Sequence, residues 1–267
     1  MYKQLSLIEI QEIEFSILKK FHDYCREKNL KYSLAYGTLI GAVRHQGFIP
    51  WDDDIDVMMP RNDYEKLIEA FKNGNGIHGY EILCKDNKSN YYYPFIKICD
   101  VKTIAKMEDN QTIHGIWMDV FPVDYIPDNE VETKRLHKKI RFYKNLIIAY
   151  TTDFNSKDKN WKLVPKYFYA MFARIKGIDK VIDLIEKESI KYNEEKTNSL
   201  SVLTWQSSLA GRMNVDDFVN LKKIKFCDNE FFIIDHYDAY LRGIYGDYMK
   251  IPKQNKRRFH HLEAYLK

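Results

Sequence analysis

LAYGTLIGAVRHQGFIPWDDDIDVM, residues 34–58, joins a small-residue turn to a segment with four carboxylates. The turn, Gly37-Thr38, follows a predicted strand over Leu30–Tyr36 and opens a predicted short helix over Leu39–Arg44. Backbone N–H groups at a helix N-terminus, together with a hydroxyl, suit phosphate oxygens. The turn alone also fits a plain helix cap.

The acidic segment that follows has the period of a strand, which we predict over Phe48–Met59. Asp54 and Asp56 alternate with apolar residues and therefore project from one face, about 7 Å apart. Carboxylates this close repel each other, so the segment is either a solvated strand end or a site where a divalent cation lies between them. The same alternation turns Asp53 to the opposite face.

The spacing of the turn and the acidic strand, about 16 residues, resembles the nucleotidyltransferase fold. In that fold the turn holds the phosphates of a nucleotide, and two carboxylates hold magnesium. A third carboxylate from a neighbouring strand usually completes the site. Asp119, which lies between the apolar residues Met118 and Val120, is the candidate in this sequence.

Residues 34–58 as a whole are similar to the signature of the LicD family. Later blocks that resemble the family follow in order along the chain: Tyr93-Pro94-Phe95 with Lys97, residues 117–122 with Asp124, and residues 245–249 with Pro252, Arg257, His260 and His261. The family has a nucleotidyltransferase-like fold and includes phosphocholine transferases that act on bacterial cell-surface glycopolymers. Fukutin-type ribitol-phosphate transferases are relatives. One departure is Lys253, where the family commonly has a second proline.

The resemblance implies roles for the matched residues. Asp54, Asp56 and Asp119 are the predicted catalytic residues, and with Asp52 they are the predicted ligands of Mg²⁺. Asp119 is either the third ligand or the base for the attacking hydroxyl. The predicted substrate-binding residues are Gly37, Thr38, Arg44, His45, Arg61, Lys97, Arg257 and His260. For Arg44 and Arg61, the alternative role is an ion pair with the aspartates.

The reaction expected from the resemblance is transfer of phosphocholine from CDP-choline to a hydroxyl of a teichoic-acid or lipopolysaccharide precursor, with release of CMP. One alternative keeps the chemistry but uses CDP-ribitol or CDP-glycerol as the donor. A second is a nucleotide-polymerising or tRNA-modifying enzyme, and a third is a non-catalytic protein that binds choline or glycan. Intact acids disfavour the third alternative, because carboxylates are costly to hold together.

Composition limits the other function classes. The formal net charge of +4 is too small to argue for a nucleic-acid partner, and the partners expected are the nucleotide donor and a glycan or lipid-linked acceptor. Four dispersed cysteines without a CxxC pair fit reduced thiols. No leader pattern or membrane-spanning run is present, so we expect a cytoplasmic protein. The aromatic and basic stretch Lys162–Lys176 fits either a peripheral membrane contact or an amphipathic core helix.

The sequence predicts an α/β (α+β) fold in which a mixed sheet flanked by helices precedes a helical second half. Residues 1–128 form the predicted nucleotidyltransferase-like core, and residues 129–267 form a mainly helical part that completes the active site within one compact unit. Further helices are predicted over 6–29, 61–73, 130–150, 161–176 and 179–193, with a short one at the C-terminus, and further strands over 80–84, 92–99, 103–107 and 117–121.

Overall fold

The computed structural model describes residues 3–87, 91–107, 114–152, 163–205, 209–257 and 262–267. Within these ranges the chain is a mixed α/β fold, which confirms the predicted class. The helices are α1 (Leu7–Glu27), α2 (Tyr36–His45), α3 (Arg61–Lys72), α4 (Glu130–Thr151), α5 (Leu163–Lys176), α6 (Ile178–Ser189), α7 (Asp216–Val219) and α8 (Tyr237–Tyr245). The strands are β1 (Lys3–Gln4), β2 (Ser33–Leu34), β3 (Asp56–Pro60), β4 (Tyr80–Leu83), β5 (Ile96–Asp100), β6 (Thr103–Met107), β7 (Trp117–Ile126), β8 (Ser199–Ser201), β9 (Met213–Asn214), β10 (Lys222–Phe226), β11 (Asn229–Ile233) and β12 (Leu262–Leu266).

The central sheet has the strand order β2-β3-β7-β5-β4. Strands β3 and β7 are parallel, while the other pairs in this order are antiparallel, so the sheet is mixed as predicted. Strand β7 is the longest, and its last residues, Asp124 to Ile126, pair with β8 instead. Because β7 lies between the acidic strand β3 and strand β5, it places residues from three parts of the chain side by side.

Two hydrophobic clusters support the fold. The larger one surrounds the central sheet and includes the buried face of α1, which begins with a capping box between Ser6 and Glu9. The smaller one joins α4, α5 and α6 to the end of β7 through residues such as Ile126, Ile140 and Ile185. The predicted helical middle of the chain is therefore a separate layer on the sheet.

The N-terminal part of the predicted motif is more compact than expected. The strand expected over Leu30–Tyr36 covers only Ser33–Leu34, because Tyr36 turns the chain into α2 with a φ of 42°. A left-handed φ is unfavourable for a tyrosine and marks a constrained turn. The strand expected over Phe48–Met59 begins only at Asp56, since a turn precedes it in which the Asp52 N–H donates to the Ile49 carbonyl.

The second half is less helical than predicted. A hairpin of β10 and β11 was not foreseen, and the predicted C-terminal helix is wrong, because Leu262–Leu266 is strand β12. This strand pairs with β6 on one side and β1 on the other, so its backbone hydrogen bonds come from distant segments. Among the described helices, none is long and apolar enough to cross a membrane.

Candidate active site

Three side chains form a row across neighbouring strands on one face of the central sheet. Asp56 on β3 lies beside Asp119 on β7 in parallel register, and Asp119 lies opposite Lys97 on β5 in antiparallel register. The Lys97 ammonium donates to Asp119 Oδ1. The fold therefore brings two of the predicted catalytic carboxylates together with one predicted substrate-binding lysine.

The glycine–threonine turn at the start of α2 touches the acidic segment directly. A Cβ on Gly37 would lie 2.8 Å from Asp52 Oδ2, so the absence of a side chain allows this close approach. The Thr38 hydroxyl oxygen accepts a hydrogen bond of 2.8 Å from the Asp56 N–H, at the first residue of β3. The turn and the acidic strand are thus held as one unit.

Negative charge is concentrated around Asp56, which is buried. Burial raises the pKa of Asp56 well above its ordinary value, and the carboxylates of Asp54, Asp119 and Asp52 raise this pKa further. The Lys97 ammonium lowers the pKa of Asp56, but its effect is smaller than that of the three carboxylates. Like charges gathered in a buried place are typical of a functional site.

Lys97 is enclosed by aromatic rings. Its Nζ lies 4.5 Å from the ring centroid of Trp117, 4.8 Å from that of Tyr93 and 5.5 Å from that of Phe95. Only 3% of Lys97 is exposed, and the cation–π contacts together with Asp119 fix its ammonium in place. Asp56 and Asp119, which we call the acidic row, are therefore bordered by aromatic rings on the side of β5.

A second group of predicted residues gathers around Trp51, which directly precedes the three aspartates. The Arg257 guanidinium lies 4.1 Å from the centroid of a Trp51 ring, and the His45 ring meets Trp51 edge-on at 6.4 Å. The Arg44 Nε donates to His45 Nε2 at 2.9 Å. Burial lowers the pKa of Arg44, and the nearby Asp52 carboxylate partly offsets this effect. Three predicted substrate-binding residues thus form a basic cluster, Arg44, His45 and Arg257, beside the acidic turn.

Arg61 is placed elsewhere. It is buried at the start of α3, where its guanidinium donates two hydrogen bonds, of 2.7 and 2.6 Å, to the Asp124 carboxylate and a third, of 2.6 Å, to Glu186. Arg61 therefore belongs to a buried ion-pair network at the other end of β7. The last predicted residue, His260, lies outside the described residues.

Sequence reasoning missed Glu14. This residue lies on α1, is 1% exposed, and its Oε2 has no hydrogen-bond partner among the described residues. Burial raises the pKa of Glu14 well above its ordinary value, and the carboxylates of Asp54, Asp53, Asp52 and Asp119 raise it further. The available signal was an acid within the apolar stripe of a helix, between Ile10 and Ile17.

The donor chemistry of the acidic residues fits a divalent cation. Carboxylate oxygens are the ligands that Mg²⁺ prefers, and the cation would offset the repulsion that raises the pKa of Asp56. Among the described residues, no three acid, histidine or cysteine side chains already converge as a coordination group. In this arrangement the Asp119 carboxylate forms an ion pair with Lys97. Binding would therefore draw the carboxylates together.

Comparison with known proteins relates this geometry to a family. A family profile described as LicD/FKTN/FKRP, nucleotidyltransferase domain, matches residues 29–148, the segment that contains the acidic row. The lipopolysaccharide cholinephosphotransferase LicD of Haemophilus influenzae is 30% identical over 99% of this chain and 99% of its own length. An uncharacterized protein of Rickettsia typhi is 33% identical over 46% of this chain and 38% of its own length.

A solved structure, ANT(2")-Ia in complex with adenylyl-2"-tobramycin, is similar over 63% of this chain and 94% of that chain, with 13% identity and a TM-score of 0.23. The full-length relative and the profile over the acidic row agree with the four sequence blocks that resemble the family. The chain belongs to the LicD family.

Proposed function

We propose that this protein transfers phosphocholine from CDP-choline to a hydroxyl of a lipopolysaccharide precursor or a related cell-surface glycan, with release of CMP. Membership of the LicD family supports the class of enzyme, a phosphotransferase. The full-length relative is a lipopolysaccharide cholinephosphotransferase, which supports the transferred group and the acceptor. The donor and the metal dependence are our own assignment.

The register of Asp56 with Asp119 is the observation that carries the proposal. Two strands that are far apart in sequence place their carboxylates side by side, and Asp54 adds its charge to the same place. A fold gains no stability from such a concentration of like charge. The arrangement is explained if the site binds a divalent cation together with the pyrophosphate of a nucleotide donor.

In the proposed reaction the acceptor hydroxyl attacks the phosphorus that carries choline, and the bond from this phosphorus to the CMP oxygen breaks. Asp54, Asp56 and Asp119, with Asp52, would hold Mg²⁺, which supplies charge neutralisation at the pyrophosphate. Asp119 has one of two roles: it is the third ligand, which lowers the pKa of the attacking hydroxyl through the metal, or it is the base that accepts the proton of this hydroxyl. The Arg44 and Arg257 guanidiniums of the basic cluster offset the negative charge of the departing CMP. No covalent enzyme intermediate is required.

Aromatic residues beside the acidic row support choline as the transferred group. A quaternary ammonium has no hydrogen-bond donor, so proteins recognise it with the faces of aromatic rings. Trp205 is about half exposed and packs against Phe95 and Phe121, at ring distances of 5.8 and 5.9 Å. Phe121 follows Asp119 by two residues on the same face of β7. The Trp205 indole is therefore a candidate choline contact beside the acidic residues, at a ring that already has the Lys144 ammonium 5.3 Å from its centroid.

The experiment measures CMP release from CDP-choline, CDP-ribitol and CDP-glycerol, with a lipopolysaccharide precursor as acceptor, in Mg²⁺ and in a chelator. We expect release from CDP-choline only, and its loss in the chelator. Preference for another donor would keep the chemistry and contradict the choline assignment. Absence of CMP release from all three donors, together with measurable binding of choline, would favour the non-catalytic binding protein.

A further inference from the structure

Helix α5 turns most of the large apolar side chains that the structure describes for it outward. Ala173 belongs to the cluster shared with α4 and α6, and Ala170, one turn earlier, is also buried. The large apolar side chains of the opposite face are between 46% and 78% exposed; they are Tyr167, Phe168, Met171, Phe172 and Ile175. These positions recur at helical spacing, so they form one surface.

The surface continues onto α4 and is basic at its edges. Phe142 of α4 is also exposed, and its ring lies 6.4 Å from that of Phe172. Helix α5 contains no Asp or Glu, whereas Lys166, Arg174 and Lys176 are exposed on it. An exposed apolar face of this size with cationic edges differs from an ordinary core helix. A second copy of the same surface would bring positive charges together, which disfavours self-association.

We propose that α5, with Phe142, is a docking surface for a bilayer that carries anionic phospholipids. The apolar side chains enter the boundary between head groups and acyl chains, while the lysine and arginine side chains meet the lipid phosphates. The role rests on the proposed function, because docking brings the active site to a lipid-linked acceptor. The two ideas fail separately, since vesicle binding requires no catalysis.

The test is co-sedimentation of the full chain with vesicles of phosphatidylethanolamine and phosphatidylglycerol, and with vesicles of phosphatidylcholine alone. We expect binding to the anionic vesicles that weakens with salt. The variant Phe168→Ser/Ile175→Ser should bind at least about tenfold more weakly, because two large side chains no longer enter the bilayer. The control is Ile8→Ser/Val219→Ser, which removes equally exposed apolar residues from α1 and α7.

Equal binding by the two double variants, or no binding of the wild type to anionic vesicles, would contradict the docking surface. A mass in light scattering that doubles for the wild type and not for Phe168→Ser/Ile175→Ser would replace the bilayer with a second copy of the chain. CMP release with a delipidated acceptor should be the same in the wild type and this variant. Absence of CMP release in both would contradict the proposed function and leave the docking result standing.

A different observation concerns the acidic site itself. Glu14 faces this site from α1, and Gln11, one turn earlier on the same helix, donates to the Asp52 carbonyl at 2.8 Å. This contact fixes the helix against the acidic turn. Glu14 Oε2 is buried and has no hydrogen-bond partner among the described residues. A buried oxygen without a partner is costly, so its retention calls for a partner that the protein acquires.

We infer that Glu14 is part of the divalent-cation site of the proposed function. When a cation draws the carboxylates together, Glu14 Oε2 binds the cation or a water molecule that the cation holds. Carboxylates that support a metal from the second layer typically change its affinity 10- to 100-fold, about the effect expected here. Glu14 thereby extends the site from the sheet to α1.

Titration with Mn²⁺, followed by the electron paramagnetic resonance of the free ion, tests this role without turnover. Glu14→Gln should weaken Mn²⁺ binding by about tenfold or more, whereas Glu12→Gln, an exposed acid on the same helix, should leave it unchanged. Without metal, the Tm of Glu14→Gln should equal or exceed that of the wild type, because the substitution removes a buried acid that neighbouring carboxylates disfavour in its charged form. Glu14→Met should give the same loss of affinity.

Wild-type affinity in either folded Glu14 variant would contradict the inference, and so would failure of both to fold, since Glu14 would then be structural. The variant Asp54→Asn separates this result from the proposed function. If Asp54→Asn loses Mn²⁺ and Glu14→Gln keeps it, only the role of Glu14 is wrong. If Asp54→Asn binds Mn²⁺ like the wild type, the metal site of the proposed function is wrong.

Discussion

The aspartates near the two ends of strand β7 have neighbours of opposite charge balance. Near the end of the strand, Asp124 is fully buried and accepts hydrogen bonds from Arg61 and, at 2.8 Å, from Asn193. Near its start, Asp119 shares the Lys97 ammonium with a group of carboxylates that includes Asp56. The first end matches positive to negative charge, and the second gathers more negative charge than its lysine offsets.

This difference separates a structural site from a candidate active site. At the Asp124 end, the bidentate guanidinium satisfies the carboxylate, and the network joins α3 to the layer of α4–α6 through Glu186. At the Asp119 end, the remaining negative charge is available to a ligand that brings positive charge. The balance of charge around each aspartate, and not its burial, therefore distinguishes the structural site from the candidate active site.

The largest effect should follow from Asp119→Asn. The amide cannot accept the proton of the attacking hydroxyl and is a weaker ligand, so we expect turnover to fall about 1,000-fold, which corresponds to about 4 kcal/mol. The initial rate of CMP release from CDP-choline measures this change. The matched control is Asp86→Asn, which changes an exposed acid on the surface. An equal fall in turnover in this variant would contradict a catalytic role for the start of β7.

At the other end of the strand, Asp124→Asn should act on stability. Removal of the Asp124 charge leaves the buried Arg61 guanidinium with Glu186 as its remaining ion-pair partner among the described residues, and we expect a cost of about 3 kcal/mol in the free energy of unfolding. Urea unfolding followed by circular dichroism measures the change. A loss below about 1 kcal/mol, the range of surface ion pairs, would mean that the Arg61 network is not the structural counterpart described above.

Lys97→Met should leave the carboxylates at the start of β7 with more uncompensated negative charge. The variant removes the hydrogen bond between the ammonium and the Asp119 carboxylate, so we expect a loss of about 2 kcal/mol in the free energy of unfolding in a chelator. Millimolar Mg²⁺ should recover part of this loss, because a ligand that binds only the folded state stabilises it. Thermal unfolding with and without Mg²⁺ measures both effects. The same loss at every Mg²⁺ concentration would contradict the interpretation.

The smallest effect at neutral pH should come from His137→Leu in α4. Burial and the nearby charges of Lys144 and Arg141 lower the pKa of His137 to about 4, so the folded protein keeps this ring neutral when the unfolded chain protonates it. Stability should therefore fall as the pH decreases from about 6.5 toward 4. The variant should lose less stability over this interval. Equal pH profiles in urea unfolding would show that His137 contributes nothing to acid unfolding.

The acidic strand and its turn could be read from the sequence because their signals are local. Alternation placed Asp56 on a strand, and the glycine–threonine pair marked the turn before it. The register with Asp119 was expected only through the resemblance to a fold, since no local pattern states which strands are neighbours. The pairing of Arg61 with Asp124 was not expected at all, because Asp124 lies on β7, far along the chain from α3.

Residues that depend on tertiary neighbours were out of reach. Glu14 interrupts an apolar stripe, but only the position of the acidic turn against α1 gives this acid a function. Strand β12 is a run of five residues, too short for its period to distinguish strand from helix, and its pairing with β6 decides the outcome. The helices α4, α5 and α6 were predicted by periodicity, whereas their packing as a layer and the outward apolar face of α5 required the packed structure.

The central claim is that the excess negative charge at the start of β7 is the reaction centre. Transfer of labelled phosphocholine from CDP-choline to a lipopolysaccharide precursor, measured for the wild type and for Asp56→Asn at equal amounts of folded protein, tests it most directly. We predict chelator-sensitive transfer by the wild type and none above background by Asp56→Asn, with a Tm that is unchanged or higher. Transfer by folded Asp56→Asn at the wild-type rate would contradict the account.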